Sequence, residues 1–190
     1  ARCNMIVFTP IDYDHMSILG NSLKEIAQQK AGAINNSNQI LVSCKQRKTV
    51  QKALNHQAIK NNNIILYQKK SPFNFSSLYM QHQCDNARLA AFVLELAVPA
   101  YQFQFQDIEK HITNTRWPGR IQRLQKSPDV LFDVAHNQHS IRAFIKYFQE
   151  IRGQYKKSFL IIGIEKEKNI KQELPQLYQY FNYIDFTETK

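Results

Sequence analysis

Four short stretches of this chain carry side chains able to bind phosphate, metal or a carboxylate substrate. The first is Thr9-Pro-Ile-Asp-Tyr-Asp-His15, which follows the apolar run Met5 to Phe8. That run reads as a buried strand, and open α/β sheets take ligands beyond the carboxyl ends of their strands. Ser22 and Glu25 form a Ser-x-x-Glu capping box that opens a helix. Leu23, Ile26 and Ala27 give that helix an apolar face, Lys30 sits in its last turn, and Gly32 offers a left-handed stop. One strand end and one helix end thereby bring a His, an Asp and a Lys into one neighbourhood.

The second stretch is His82-Gln-Cys-Asp-Asn86, where helical character begins at Asp85. Asn86 then falls in a first turn, where amide dipoles face whatever lies beyond the helix end; a plain surface Asn is the other reading. The third is Thr115-Arg-Trp-Pro-Gly-Arg120, which holds the chain's one Trp. Pro and Gly break helices and strands alike, so this is a boundary, and Arg120 is either an anion ligand or an exposed turn residue. The fourth is Asp133-Val-Ala-His136-Asn137, delivered by a strand at Asp129 to Phe132 and followed by a helix. An acid placed after a strand and before a helix suits hydrogen bonding to a ribose.

The elements that must position these groups follow a simple rhythm. Gln39 to Ser43 and Ile64 to Tyr67 read as strands around a helix at Thr49 to Ile59, whose apolar side carries Val50, Ala53, Leu54 and Ile59. Strand, helix, strand at this spacing favours a parallel sheet. Lys69 to Phe75 reads as a loop. Leu89, Phe92, Val93 and Leu96 stripe the next helix, which Pro99 ends, and a shorter helix spans Phe105 to His111. Past the boundary near Thr115, the helix after Asn137 carries Ile141, Phe144, Ile145 and Phe148 on one face. Ser158 to Gly163 reads as a buried strand, Leu174 to Phe181 as a helix and Tyr183 to Phe186 as a last strand. The expected fold class is therefore α/β, with one domain over 1–114 and a second over 115–190.

Composition sets the outer bounds. At 190 residues with 43% hydrophobic content, the chain can bury a real core. No uncharged apolar run approaches the roughly 20 residues of a membrane span. The first residues have no signal-peptide layout, and their quick entry into a strand suggests a chain cut from something longer. Cys3, Cys44 and Cys84 make neither a metal spacing nor an even set, which fits a reducing cytoplasm. The formal net charge of +10 suits an anionic partner, although the basic residues are spread out apart from Lys45-Gln-Arg-Lys48 and Lys166-Glu-Lys168. No RNA-recognition, zinc-finger or KH pattern occurs. No Gly in the chain precedes Lys-Ser/Thr, so there is no phosphate loop of the Gly-x-x-x-x-Gly-Lys-Ser/Thr kind.

At these intervals the chain resembles the folylpolyglutamate synthase/dihydrofolate synthase family of Mur-type ATP-dependent amide ligases. The blocks are Asp14-His15, Leu19-Gly20, Ile26-Ala27 and Lys30-Ala-Gly32, then His82-Gln-x-x-Asn86-Ala, Trp117-Pro-Gly-Arg120 and Asp133-x-Ala-His136-Asn137. Gln29 stands where the family usually has Glu, Met80 where it has Gly, and Gln138 where it has Pro. The resemblance implies the end of a Mur-ligase central ATPase domain followed by a Rossmann-like C-terminal domain. It implies that Lys30 is carbamylated and, with His136, catalytic. Asn86, Arg120 and Asp133 would hold ATP, His15 would ligate Mg2+, and Lys166 would meet a substrate carboxylate or phosphate.

The implied reaction adds L-glutamate to dihydropteroate or to a folate tail through an acyl phosphate. The implied protein is a cytoplasmic monomer that engages neither nucleic acid nor membrane. In the family a phosphate loop and two metal ligands precede the equivalent of Ala1, and the chain continues past the equivalent of Lys190, so the expectation is a piece inactive on its own. Two other readings stand beside this one: a Mur-type ligase acting on cell-wall precursors, and a basic α/β nucleic-acid-binding module.

Overall fold

A computed structural model describes residues 3–69, 75, 80–98, 105–164 and 170–187, with the side chains of 105 and 106 excepted. The chain divides into two compact units, Ala1–Ser76 with Cys84–Thr113, and Ser77–Gln83 with Asn114–Lys190.

The first unit is built on three parallel strands in the order β1 (Met5–Phe8), β2 (Ile40–Ser43), β3 (Ile65–Tyr67). Side chains alternate across a sheet, and here both faces are used. Phe8, Leu41 and Ile65 face helices α2 (Leu23–Ala31) and α3 (Lys48–Lys60), packing with Ile26, Ala27, Val50 and Leu54. On the opposite face Val42 and Cys44 meet Leu89, Phe92, Val93 and Leu96 of α4 (Gln81–Ala97). β1 is an edge strand with only Phe8 fully buried, so the expected buried strand is half exposed. Ile59 is also not core: it is 73% exposed, and Ala58 takes the inward position.

Between β1 and β2 the chain makes a four-residue helix, α1 (Met16–Leu19), then the capping box that starts α2. Ser22 Oγ accepts from Glu25 N at 3.2 Å, and Glu25 Oε2 accepts from Asn21 N at 2.8 Å and Ser22 N at 3.1 Å. That return of Glu25 explains Gly20, whose φ is 113 and whose absent Cβ would lie 2.6 Å from Glu25 Cβ. Gly32 corrects an expectation. It stays right-handed at φ −58, and the helix unwinds through tight turns, Ala33 N to Lys30 O and Ile34 N to Ala31 O. With Ile34 fully buried just beyond, the chain continues inward, and a left-handed reversal is not used.

The second unit begins after α5 (Phe105–Asn114) with an antiparallel pair, β4 (Gln122–Lys126) and β5 (Asp129–Phe132). β4 has no counterpart among the strands read from the sequence, because Gln-Arg-Leu-Gln-Lys shows little apolar alternation. Asp129 ties the hairpin down: its Oδ1 is ion-paired with Arg123 Nε at 2.9 Å, and its Oδ2 accepts from the Tyr155 hydroxyl at 2.6 Å. That hydrogen bond to a carboxylate pushes the Tyr155 pKa up. β6 (Phe159–Gly163) and β7 (Tyr183–Thr187) form a parallel pair. Its inner face packs Ile162 on α6 (Gln138–Ile151) and α7 (Leu174–Tyr180) through Ile141, Ile145, Phe148 and Leu177. Phe159 and Ile161 are 66% and 75% exposed, so β6 is not the buried strand that its composition suggests. At the start of α7 the buried Glu173 accepts from Arg142 Nε of α6 at 2.7 Å, clamping the two helices.

Candidate functional site

In the first unit the loop after β1 is held by a residue the sequence did not single out. Gln46 Nε2 donates to Thr9 O at 2.8 Å and its Oε1 accepts from Ile11 N at 3.1 Å. The same amide donates to Ser43 Oγ at 3.2 Å, so the end of β2 fixes the loop leaving β1. Asp12 in that loop pairs with Arg47 Nη2 at 3.2 Å. His15 adopts a left-handed backbone, φ 51 and ψ 39, and its Nε2 lies 3.8 Å from Asp14 Oδ2. His15 caps α1, which packs on α2, and Lys30 is exposed in the last turn of α2. No hydrogen bond or ion pair joins Lys30 to His15 or Asp14 among the described residues.

Magnesium takes about six oxygen ligands at octahedral geometry. Among the described residues no group of three or more His, Cys, Asp and Glu converges. One exposed imidazole and one carboxylate do not by themselves make a magnesium site.

Asn86 is exposed on α4, in the second turn and not the first. The helix begins four residues before Asp85 because His82 and Gln83 already carry helical backbone behind the buried Met80, whose carbonyl accepts from Gln83 N at 2.9 Å. The amides around Asn86 are therefore used within the helix, and only its side chain is on offer. One turn earlier, Cys84 Sγ donates to Phe75 O at 3.1 Å.

Burial also decides the thiols. It pushes Cys44 up to about 11 and Cys84 upward as well. The thiolate is the reactive form, so alkylation at pH 8 should modify the exposed Cys3 and leave Cys44 untouched until the pH approaches 11 or the chain unfolds. Peptide mass spectrometry reads this directly, and equal labelling of Cys3 and Cys44 at pH 8 would contradict it.

The second unit brings three predicted residues together. Residues 117–121 form a turn bolted to the loop after β5. Val134 N donates to Gly119 O at 2.9 Å, and Ile121 N donates to Asp133 Oδ2 at 3.0 Å. Arg120 lies between those two anchors, with its side chain exposed. Gly119 must be glycine here: its φ is 71, and a Cβ would sit 2.5 Å from Val134 Cγ1. Asp133 Oδ1 accepts from Ala135 N at 2.9 Å, so each carboxylate oxygen is oriented by one amide and keeps a lone pair for a further donor.

The His136 ring is also oriented. Its Nδ1 lies 2.9 Å from Val134 O, which can only accept, so Nδ1 donates there and Nε2 faces away from that bond. Asn137 then caps α6 reciprocally with Ser140, the Asn-x-x-Ser signal of a helix start. Chemically this loop offers a guanidinium for phosphate oxygens, an oriented carboxylate for hydroxyl donors and an imidazole nitrogen within a few residues. Lys166 lies outside the described residues.

No protein-family model matches the chain. A dihydrofolate synthase/folylpolyglutamate synthase of Bacillus subtilis is 29% identical over 162 residues, covering 72% of this chain and 38% of that protein. Folylpolyglutamate synthase of Mycobacterium tuberculosis, solved with ADP and AMPPCP, superposes with a TM-score of 0.76 at 22% identity over 97% of this chain and 48% of the other. An FPGS solved with AMPPCP and folate superposes at 0.77, with 16% identity, over 98% of this chain and 51% of that one. The structural likeness fixes the α/β, Mur ligase-like fold, and the chain spans less than half the length of the curated relatives it matches. By sequence and by fold together, the chain is similar to part of the dihydrofolate synthase/folylpolyglutamate synthases.

Proposed function

We propose that the protein carrying this chain is an ATP-dependent ligase that joins L-glutamate to dihydropteroate or to the γ-glutamyl tail of a folate. The observation that carries the reading is the Trp117–Ile121 turn bonded to Asp133, which puts Arg120 next to an amide held by an oriented carboxylate, in a chain similar to folate ligases. A carboxylate oxygen of the acceptor attacks the γ-phosphorus of ATP, and ADP leaves. The glutamate nitrogen then attacks the acyl carbon, inorganic phosphate leaves, and the nitrogen loses a proton. Charge accumulates on phosphate oxygens throughout, so positioned cations and amides supply most of the catalysis.

In this reading Arg120 holds phosphate oxygens and Asp133 accepts from the ribose hydroxyls. His136 offers a ring nitrogen to the nucleotide. In the first unit His15 would be a ligand to magnesium, which would neutralise phosphate charge. Carbamylated Lys30 presents a carboxylate-like group to the acceptor, and Lys166 takes the glutamate carboxylate. Residues 1–114 then close a central ATPase domain and 115–190 open a C-terminal one.

The test is formation of ADP and phosphate by the full-length protein, dependent on both glutamate and dihydropteroate or a folate. Turnover with a cell-wall nucleotide precursor in place of the pterin would move the protein to another Mur-type branch. Salt-dependent binding of generic DNA without any ligase turnover would remove the enzyme reading altogether.

A further inference from the structure

Ile121 is buried at 3% exposure yet holds φ 47, a left-handed backbone that a β-branched residue rarely adopts. Such a conformation persists only where the surroundings over-determine it. Most of the bonds that do so here come from the backbone or from Asp133: Arg120 N to Trp117 O, Val134 N to Gly119 O, and Ile121 N to Asp133 Oδ2. The exception is Gln122. Its Oε1 reaches back to accept from Gly119 N at 3.0 Å, closing the turn from the far side of Ile121. Gln122 is also the first residue of β4 and pairs with Phe132, the residue immediately before Asp133. One side chain thus links the turn that carries Arg120 to the strand that delivers Asp133.

We infer that Gln122 is a positioning residue for the nucleotide: its side-chain oxygen closes the Gly119–Gln122 turn and so fixes the Arg120 guanidinium relative to the Asp133 carboxylate. The inference rests on the reading of Arg120 and Asp133 as ATP ligands. Without the acceptor, the N–H of the buried Gly119 loses its partner, the turn relaxes, and the two groups no longer address one nucleotide together. Gln122 itself touches neither phosphate nor ribose, so the effect falls on nucleotide affinity and leaves the chemical step alone.

The experiment uses the full-length protein with Gln122→Leu, which removes the acceptor, Gln122→Asn, which shortens its reach by one methylene, and Gln122→Glu, which keeps an oxygen at full reach. Gln122→Leu and Gln122→Asn should raise KM for ATP about tenfold, the effect of about one lost hydrogen bond, with kcat changed less than about twofold. Gln122→Glu should recover most of the loss. ATP titrated against the fluorescence of Trp117, 70% exposed in the same turn, should show the same order of affinities. Should Gln122→Leu not fold, the Asn and Glu variants carry the comparison. An active parent protein with unchanged KM in the Leu or Asn variant, a fall in kcat at constant KM, or equal impairment in the Glu variant would overturn the inference alone. A parent protein without ATP turnover would overturn the ligase reading and the inference with it.

Discussion

Lys30→Ala in the full-length protein should lower glutamate-ligating turnover by about 10²- to 10³-fold, the scale seen when one preorganised stabilising group is removed from a reacting centre. The fold should survive, because Lys30 is exposed in the last turn of α2 and none of its side-chain atoms packs in the core formed by Leu23, Ile26, Ala27 and Ala31. Carbamylation forms a bond from Nζ to the carbon of CO2 with loss of two protons from the ammonium, and turns a cation into an anion. A cation in that last turn is favoured by the helix dipole by about 0.3–1 kcal/mol, and an anion is disfavoured by a similar amount. The carbamate is therefore slightly disfavoured on the free helix and should accumulate where a bound divalent cation supplies compensating positive charge. Solution NMR with 13C-labelled CO2 should show a carbamate signal that appears on adding MgATP and is absent from Lys30→Ala. Partial recovery of the variant by small carboxylic acids would fit the same chemistry. A Lys30→Ala protein with near-parental turnover would refute the role of Lys30.

How far the sequence reached depended on whether a feature is local. The Ser22–Glu25 box and the α6 face of Ile141, Phe144, Ile145 and Phe148 are written in a capping signal and a 3.6-residue period, and they form as read, while the Met5–Phe8 strand forms within its expected bounds but only half buried. The parallel pairing of β2 with β3 followed from strand, helix, strand spacing. Misreadings came where tertiary contacts decide. Nothing in Gln-Arg-Leu-Gln-Lys announces β4, which exists because β5 and the Arg123–Asp129–Tyr155 contacts hold it. The start of α4 moved from Asp85 to Gln81, since His82 and Gln83 continue the helix backward over Met80. Gln46 and Gln122 are single amides in unremarkable contexts, and only their long reach to Thr9 and to Gly119 makes them structural. Type and interval nominate the candidate residues, and nothing in the sequence nominates the amides that support them.

Asp133→Ala should lower kcat/KM for ATP by about 10- to 100-fold, the range expected for losing hydrogen bonds to a charged acceptor. Two effects contribute, and they can be separated. Removing the carboxylate leaves Ile121 N and Ala135 N without their acceptors, which loosens the turn around Arg120. It also removes the group proposed to receive the ribose hydroxyls. The first effect weakens every nucleotide alike; the second weakens only those that bear the hydroxyls. The parent protein should therefore favour ATP over its 2′-deoxy and 3′-deoxy analogues, whereas Asp133→Ala should be uniformly weak and nearly indifferent among them. Asp133→Asn keeps one oxygen for one amide but turns an NH2 group toward the other, so it should fall between parent and Ala in affinity and keep part of the discrimination. Steady-state kinetics with the three nucleotides on the three proteins gives the full comparison. If Asp133→Ala retains the parental preference for ATP over both deoxy analogues, the carboxylate is a brace for the Gly119–Ile121 turn and not a ribose ligand.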